Sequence, residues 1–264
     1  MRVLIFLFVY VLSSVFLWAE DDNLENIETI NEGRSWAAVG RLMLEDGRGF
    51  CTASLIAPDV ILTAAHCLYD KDTGQKYRLD AFEFQAGWRD GRAEAYRRVK
   101  FALTHPKYEF NSSRGVEKIS RDVAMILLDY PIQNGHIAPL VVAPVPKNGD
   151  DVSVVSYVRG RKNIPSIEKK CMVAALQEGI LVMTCDVDYG ASGSPVFKIT
   201  PRGVVIVSII SAMANLKEQK VSLGVSLETA LVELTNLAQK TGMLSFGFGG
   251  TVQRVQIGEK FATP

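Results

Sequence analysis

Three short stretches carry residue types whose spacing could break an acyl bond. The first is Gly190-Ala191-Ser192-Gly193-Ser194-Pro195. A serine bracketed by small residues can hold its hydroxyl unobstructed. Glycine also lets the backbone bring N–H groups close to an oxygen that becomes negative during attack on a carbonyl. Alone, Gly-x-Ser-Gly also occurs in ordinary turns. The second stretch is Leu62-Thr63-Ala64-Ala65-His66-Cys67, where small alanines let a histidine turn sit close against a strand end. The third is Asp122 followed by Val-Ala-Met-Ile-Leu-Leu. A carboxylate at the head of such an apolar run is poorly placed for solvent and needs partners if buried. The plainer reading of Asp122 is a strand-start residue capping a turn. His105 and His136 compete with His66; the first reads as a packed side chain, and the second, in a Pro/Gly-rich connection, as a surface one.

The elements that must position these groups are short strands. Trp36–Leu44 and Phe50–Ile56 flank Asp46-Gly47-Arg48-Gly49, a hairpin signal, and Asp59–Thr63 is a third strand that delivers His66. Further strands are expected at Ala81–Ala86, Ala95–Leu103 and Val123–Leu128. The run from Pro131 to Asp151 is rich in proline and glycine and reads as a connection between two halves. Strands resume at Val152–Val158, Cys171–Ala175, Ile180–Thr184, Pro195–Ile199, Gly203–Ile210 and Val221–Val225. Many short strands punctuated by turns indicate an all-β barrel or sandwich. Near residue 227 the period changes, and apolar residues at 227, 230, 231, 234, 237 and 238 fit an amphipathic helix over about 227–240.

Residues 1–19 have a positive start, an almost unbroken apolar run and Ala19 before an acidic stretch, which reads as a secretory signal peptide; an uncleaved anchor is the alternative. Residues 20–35 read as a leader or surface arm, and 241–264 as an extension without a functional reading beyond a strand-like stretch at Thr251–Ile257. The remaining ~245 residues suffice for one large β domain or two small barrels. Lys plus Arg equals Asp plus Glu at 29 each, so no one-signed field points to nucleic acid or an anionic membrane. The four cysteines fit an exported, oxidising setting. Counting leaves three pairings open, and nearness in sequence favours Cys51 with Cys67 and Cys171 with Cys185. A metal site is the rival reading, without Cys-x-x-Cys or a paired-histidine spacing to support it.

These blocks resemble the trypsin-like serine peptidases of the chymotrypsin clan, and within it the bacterial branch that includes the glutamyl endopeptidases. Histidine, aspartate and serine follow one another in that clan's order, which differs from the subtilisin and α/β-hydrolase orders. Cys51–Ile56 with Leu62–Cys67 is similar to the histidine block, Thr104-His105-Pro106 with Tyr108 to the segment before the aspartate, and Gly190–Pro195 to the serine block. Val207-Ser208 resembles the substrate-binding strand, and Gly224-Val225 the strand that enters a C-terminal helix. The resemblance covers about Trp36 to Lys240. It implies an all-β fold of two six-stranded antiparallel barrels, about 36–130 and 151–225, with the active site between them and a helix over about 227–240. The implied protein is a secreted or periplasmic endopeptidase working as a monomer on protein or peptide substrates, without cofactor, metal or nucleic acid, and with no stable membrane insertion once the signal is cleaved. A catalytically silent binder on the same fold, or a peptidase restricted to one partner, is the alternative.

The resemblance further implies that Ser192 attacks, His66 relays the proton, Asp122 orients the imidazole, and the N–H groups of Gly190 and Ser192 form the oxyanion hole. Ser208 would hydrogen-bond to Asp122. Asp186, six residues before Ser192, has the spacing of trypsin's basic-selective aspartate, with Asp188 as the alternative carboxylate. Ile210 would narrow that pocket's entrance and Gly224 leave one wall open, so cleavage after Arg or Lys is the expectation. Ala191 stands where animal trypsins carry the aspartate that receives a new N-terminus, so maturation by that route is not expected.

Overall fold

Short strands form where side chains can alternate between a core and a second environment. In chain order they are β1 (Leu24–Asn26), β2 (Val39–Leu44), β3 (Phe50–Ala57), β4 (Val60–Thr63), β5 (Phe82–Ala86), β6 (Ala95–Thr104), β7 (Ala124–Leu128) and β8 (Val141–Val142). Then come β9 (Asp151–Ser156), β10 (Ser166–Gln177), β11 (Ile180–Met183), β12 (Pro195–Thr200), β13 (Gly203–Leu216) and β14 (Gln219–Ser226). The helices are α1 (Val116–Ser120), which carries no sequence signal noted above, and α2 (Leu227–Lys240). The computed structural model describes residues 24–27, 33–44, 47, 49–112, 115–201, 203–216 and 219–243. The expected signal peptide and the strand-like stretch at Thr251–Ile257 lie outside the described residues.

The first barrel closes in the order β2-β3-β4-β7-β6-β5. On β5, Phe82, Phe84 and Ala86 are buried while Glu83 and Gln85 are half-exposed, the pattern of a strand with one wet face. β7 is buried along its whole length because its two faces serve different cores. Ala124, Ile126 and Leu128 fill the barrel interior. Val123, Met125 and Leu127 join a second cluster shared with Phe197 of β12 and Leu231 of α2. Burial on both faces is the physical reason for the unbroken apolar run after Asp122.

The second barrel follows β9-β12-β13-β14-β11-β10 and closes through the β9–β10 pairing, so both halves are closed six-stranded antiparallel barrels. β8 adds in parallel to β13. β1 adds to β10, with Leu24 opposite Glu168. Residues 24–27 of the stretch expected as a leader or surface arm therefore lie against the second barrel: Leu24 and Ile27 are buried, and Arg161 and Arg89 donate to their carbonyls at 2.6 Å. Three residues of strand are too few to show a period in sequence.

α2 packs Leu227, Ala230, Leu231, Leu234 and Ala238 between the barrels. Each fully buried leucine contributes about 2 kcal/mol to holding the halves in register. Glu233 on the same helix meets buried His105 at 3.3 Å and Lys107 at 3.1 Å, which gives His105 the structural place expected of it. His136 is exposed.

Candidate active site

β4 ends at Thr63, and the chain turns through a 3-10 segment, Ala65–Leu68, that carries His66 away from the barrel wall. The turn can sit this close because Ala64 and Ala65 are fully buried and bring almost no side-chain volume. Cys67 is bridged to Cys51 on β3, so the histidine turn is tied to the neighbouring strand. Cys171 is bridged to Cys185 in the second barrel. Cys51, Cys67 and His66 hold donor atoms within 4.8 Å of one another, but the bridge consumes both thiolates and leaves a single imidazole.

Asp122 sits just before β7, where its side chain is 5% exposed. It accepts three hydrogen bonds. One oxygen takes the backbone N–H of His66 at 2.8 Å; the other takes His66 Nδ1 at 2.6 Å and the Ser211 hydroxyl at 2.5 Å. A carboxylate at Nδ1 keeps the proton there and leaves Nε2 as the acceptor. Burial pushes the imidazole pKa down and Lys118 adds to this, but the charge and hydrogen bond of Asp122 outweigh both, and the net shift is upward. His66 keeps 27% of its side chain open, an edge that a substrate can reach.

The serine turn comes from the other barrel and is seated on the first. Thr52 of β3 donates its backbone N–H to Ser192 O at 2.9 Å and its hydroxyl to Gly190 O at 3.1 Å, and that hydroxyl also accepts from Tyr157 N at 3.1 Å. Gly193, at φ +76°, packs so closely that a Cβ would overlap the Thr63 hydroxyl and Thr52 O, immediately before Ala64 and His66. Gly190, at φ +101°, would place a Cβ 2.7 Å from Tyr157 O and 2.9 Å from the Phe50 ring. Both glycines are thus required by backbone conformation and by space. Within the turn Ala191, Gly193 and Ser194 donate their N–H groups to Asp188, Ile210 and Ala191. Those of Gly190 and Ser192 donate to no acceptor among the described residues. Nor does a hydrogen bond join the Ser192 hydroxyl to His66 among them, and such bonds are often long until a substrate is bound.

The residues expected around the pocket are placed differently. Ser208 is fully buried and donates to Val225 O at 2.8 Å; the serine that reaches Asp122 is Ser211. The β13–β14 ladder has a bulge between Ile210 and Ala212 that changes which side chains face the cleft, and spacing alone does not reveal it. Ile210 is in the core of the second barrel rather than at an entrance, and acts through its backbone on Gly193 and Ser194. Gly224 is interior too: a Cβ there would overlap the Ser208 hydroxyl and stand 2.9 Å from Met183 Cε, so it makes room for packing rather than opening a wall. Asp188 is exposed, and its carboxylate accepts Tyr189 N at 2.6 Å. Asp186, offered as a receptor for a basic side chain, already holds Lys220 Nζ at 2.5 Å. Sequence reasoning missed Thr52, Ser211 and Lys220. A second serine three residues after Ser208 was the only signal for any of them.

Relatives show what this arrangement is like. The chain is 29% identical over 126 residues to the modular serine protease of Drosophila melanogaster, an alignment that covers 46% of this chain and 19% of that one. It is 29% identical over 148 residues to human kallikrein-15, covering 56% and 52% respectively. The chain thus spans at most about half the length of these curated relatives. Among solved structures, a Glu endopeptidase in complex with MPD superposes with a TM-score of 0.68 at 21% identity, covering 84% of this chain and 98% of that one. A thermostable serine protease from an extremophilic microorganism gives 0.62 at 19%, covering 79% and 99%. At these identities the structural likeness is one of fold. The family model described as a trypsin-like peptidase domain matches residues 47–206, more than half of the sequence, and the chain belongs to that family.

Proposed function

We propose that the protein is a serine endopeptidase. The observation that carries this reading is the Asp122–His66 pair, joined by two hydrogen bonds, on the surface against which the Ser192 turn is packed. Ser192 Oγ forms a bond to the scissile carbonyl carbon as its proton passes to His66 Nε2. The carbon–nitrogen bond then breaks as Nε2 returns that proton to the leaving amine, and a water repeats the sequence to release the acid. The N–H groups of Gly190 and Ser192 stabilise the oxyanion, each worth about 3 kcal/mol in the transition state. Asp122 holds the imidazole in the useful tautomer and stabilises the imidazolium. Two disulfides agree with an exported protein, secreted or periplasmic.

The test is labelling with a serine-directed phosphonate followed by peptide mapping. Modification of Ser192 in the wild-type chain, lost in Ser192→Ala together with peptide hydrolysis, is the expected result. Hydrolysis persisting near the wild-type rate in that variant would assign the nucleophile elsewhere.

A further inference from the structure

The connection between β9 and β10, residues 157–165, has no strand or helix of its own, yet the serine turn leans on it. Arg159 donates its backbone N–H to Tyr189 O at 2.6 Å, and a Cβ on Gly190 would stand 2.7 Å from Tyr157 O. The first of these contacts decides where the next N–H points. In a trans peptide the carbonyl oxygen and the following N–H share one plane and face opposite ways, and no peptide bond among the described residues is cis. With Tyr189 O turned toward Arg159, the N–H of Gly190 is turned away from the connection, and it donates to no acceptor among the described residues. Rotating that peptide by half a turn would break the bond from Arg159 and take Gly190 out of the oxyanion hole, with Asp122, His66 and Ser192 left in place.

β1 fastens that connection at two points. Arg161 closes a turn by donating its N–H to Val158 O at 3.1 Å, with Arg159 as the turn's second residue, and its guanidinium donates to Leu24 O at 2.6 Å. Ile27 donates its N–H to Pro165 O at 3.0 Å, and its own carbonyl accepts from Arg89 of the first barrel at 2.6 Å. Further ties run from the connection to the first barrel, where Asp90 N donates to Asn163 O at 2.7 Å and Arg41 to Lys162 O at 3.0 Å. Apolar packing follows the same lines. Leu24 shares a buried cluster with Val158 and Ala191, the chain neighbours of Arg159 and Gly190, and Ile27 shares one with Tyr157. We propose that β1 is a positioning element of the reaction: residues 24–27 hold the connection against the serine turn and so keep the Gly190 N–H directed at the oxyanion. This rests on the endopeptidase reading above. A segment that lies ahead of the first barrel is thereby part of the machinery, and a chain that lost it would keep the triad but meet the oxyanion with one donor instead of two.

The experiment measures kcat, KM and the acid limb of the pH profile in the full chain and in Arg159→Pro, Arg159→Ala, Ile27→Pro and Leu24→Ala, with folding checked by urea denaturation and Ser192 labelled with a phosphonate in the wild type. Arg159→Pro removes the N–H that Tyr189 O accepts, at a turn position that proline favours. Its kcat should fall about 10²-fold, the loss expected of one oxyanion donor, with KM and the acid limb unchanged because the Asp122–His66 pair is untouched. Arg159→Ala keeps the N–H and should keep most of kcat. Ile27→Pro removes the N–H that fastens β1 to Pro165 and should lower kcat about tenfold with the same unchanged KM and acid limb. Leu24→Ala trims a buried anchor and should lower kcat about threefold; it carries the decision where a proline variant does not fold. A wild-type kcat in the deciding variants overturns the proposal, as does a loss that moves KM or the acid limb, or one that is equal in Arg159→Ala and Arg159→Pro. Absence of labelling in the wild-type chain overturns the endopeptidase reading, and the role of β1 with it.

Discussion

Asp122 and Asp186 both stand at the head of a segment that the site depends on, and the fold treats them in opposite ways. The first has a side chain 5% exposed and accepts three directed hydrogen bonds, two of them from one residue. The second is 41% exposed and is neutralised by a single flexible ammonium. Directed bonds in a dry setting fix an orientation, because any rotation of the carboxylate leaves a buried donor unpaired. A half-exposed pair with lysine fixes a charge but little geometry, since Lys is a point charge on a flexible stem. The difference matches two tasks. On the endopeptidase reading the His66 imidazole must be held in one tautomer and direction, whereas the Asp186–Lys220 pair lies where only its charge is held.

Breaking the first region should have the largest effect. Asp122→Asn keeps the size of the side chain but loses the charge and offers one amide group where two acceptor oxygens stood. We expect kcat to fall by about 10⁴-fold with the fold intact. The carboxylate is also what raises the pKa of His66 against burial and Lys118. Activity requires neutral Nε2, so the acid limb of the wild-type pH profile should lie above the ordinary imidazole pKa, and in the variant's residual activity it should move to lower pH. A steady-state pH profile checks both. An acid limb that stays where it was would mean that another group sets it.

The second region is sharpened by Glu168, the buried carboxyl behind Asp186. Its folded pKa of about 7 lies above the ordinary carboxyl value of 4.5 because burial, and then the charge of Asp186, disfavour ionisation; an Asp186 backbone N–H and Lys220 oppose them. A carboxyl whose pKa is raised on folding binds its proton more tightly in the native state. Its stability contribution is therefore complete below about pH 4.5 and is lost as pH rises through about 7. Glu168→Gln should remove that loss, making the chain more stable than wild type at pH 8 by up to about 3 kcal/mol and nearly equal to it at pH 5. Urea denaturation at the two pH values decides this, and an equal difference at both would show that Glu168 is not the titrating group.

The same contrast marks what could be read from the sequence. The strands, the connection between the halves and α2 follow from apolar runs and turn residues, because burial periodicity is local; that the strands close into two barrels was implied only by the family resemblance. The apolar run after Asp122 left a strand-start cap as its plainer reading, and the pairing with His66 was legible only through the family resemblance of the blocks. The pocket was not legible. Asp186 has the spacing of a receptor for basic side chains, but it is paired with Lys220, 34 residues later and across a hairpin. β1 was hidden for a similar reason: its buried face consists of Leu24 alone, and its partners lie on β10. Thr52 looks like any strand threonine until the serine turn of the other barrel lands on it.

Ser211 and Ser208 are the finest test of this boundary, since two serines on one strand differ only in which way a bulge turns them. Ser211 donates to the Asp122 oxygen that also receives His66 Nδ1, so it competes for and orients the same lone pairs that hold the imidazole. Ser208 donates to Val225 O inside the second barrel and touches no reacting group. Removing the Ser211 hydroxyl leaves Asp122 with the two bonds from His66, so the carboxylate gains freedom without losing its charge. Ser211→Ala should therefore lower kcat about tenfold with KM nearly unchanged, the signature of an interaction that matters in the transition state. Ser211→Thr, which keeps a hydroxyl at the same reach, should recover much of the loss. Ser208→Ala should leave kcat near wild type and cost about 1 kcal/mol of stability from one lost buried hydrogen bond. The reverse pattern, with kcat sensitive to Ser208 and indifferent to Ser211, would return the positioning role to Ser208 and place the bulge on the wrong side of it.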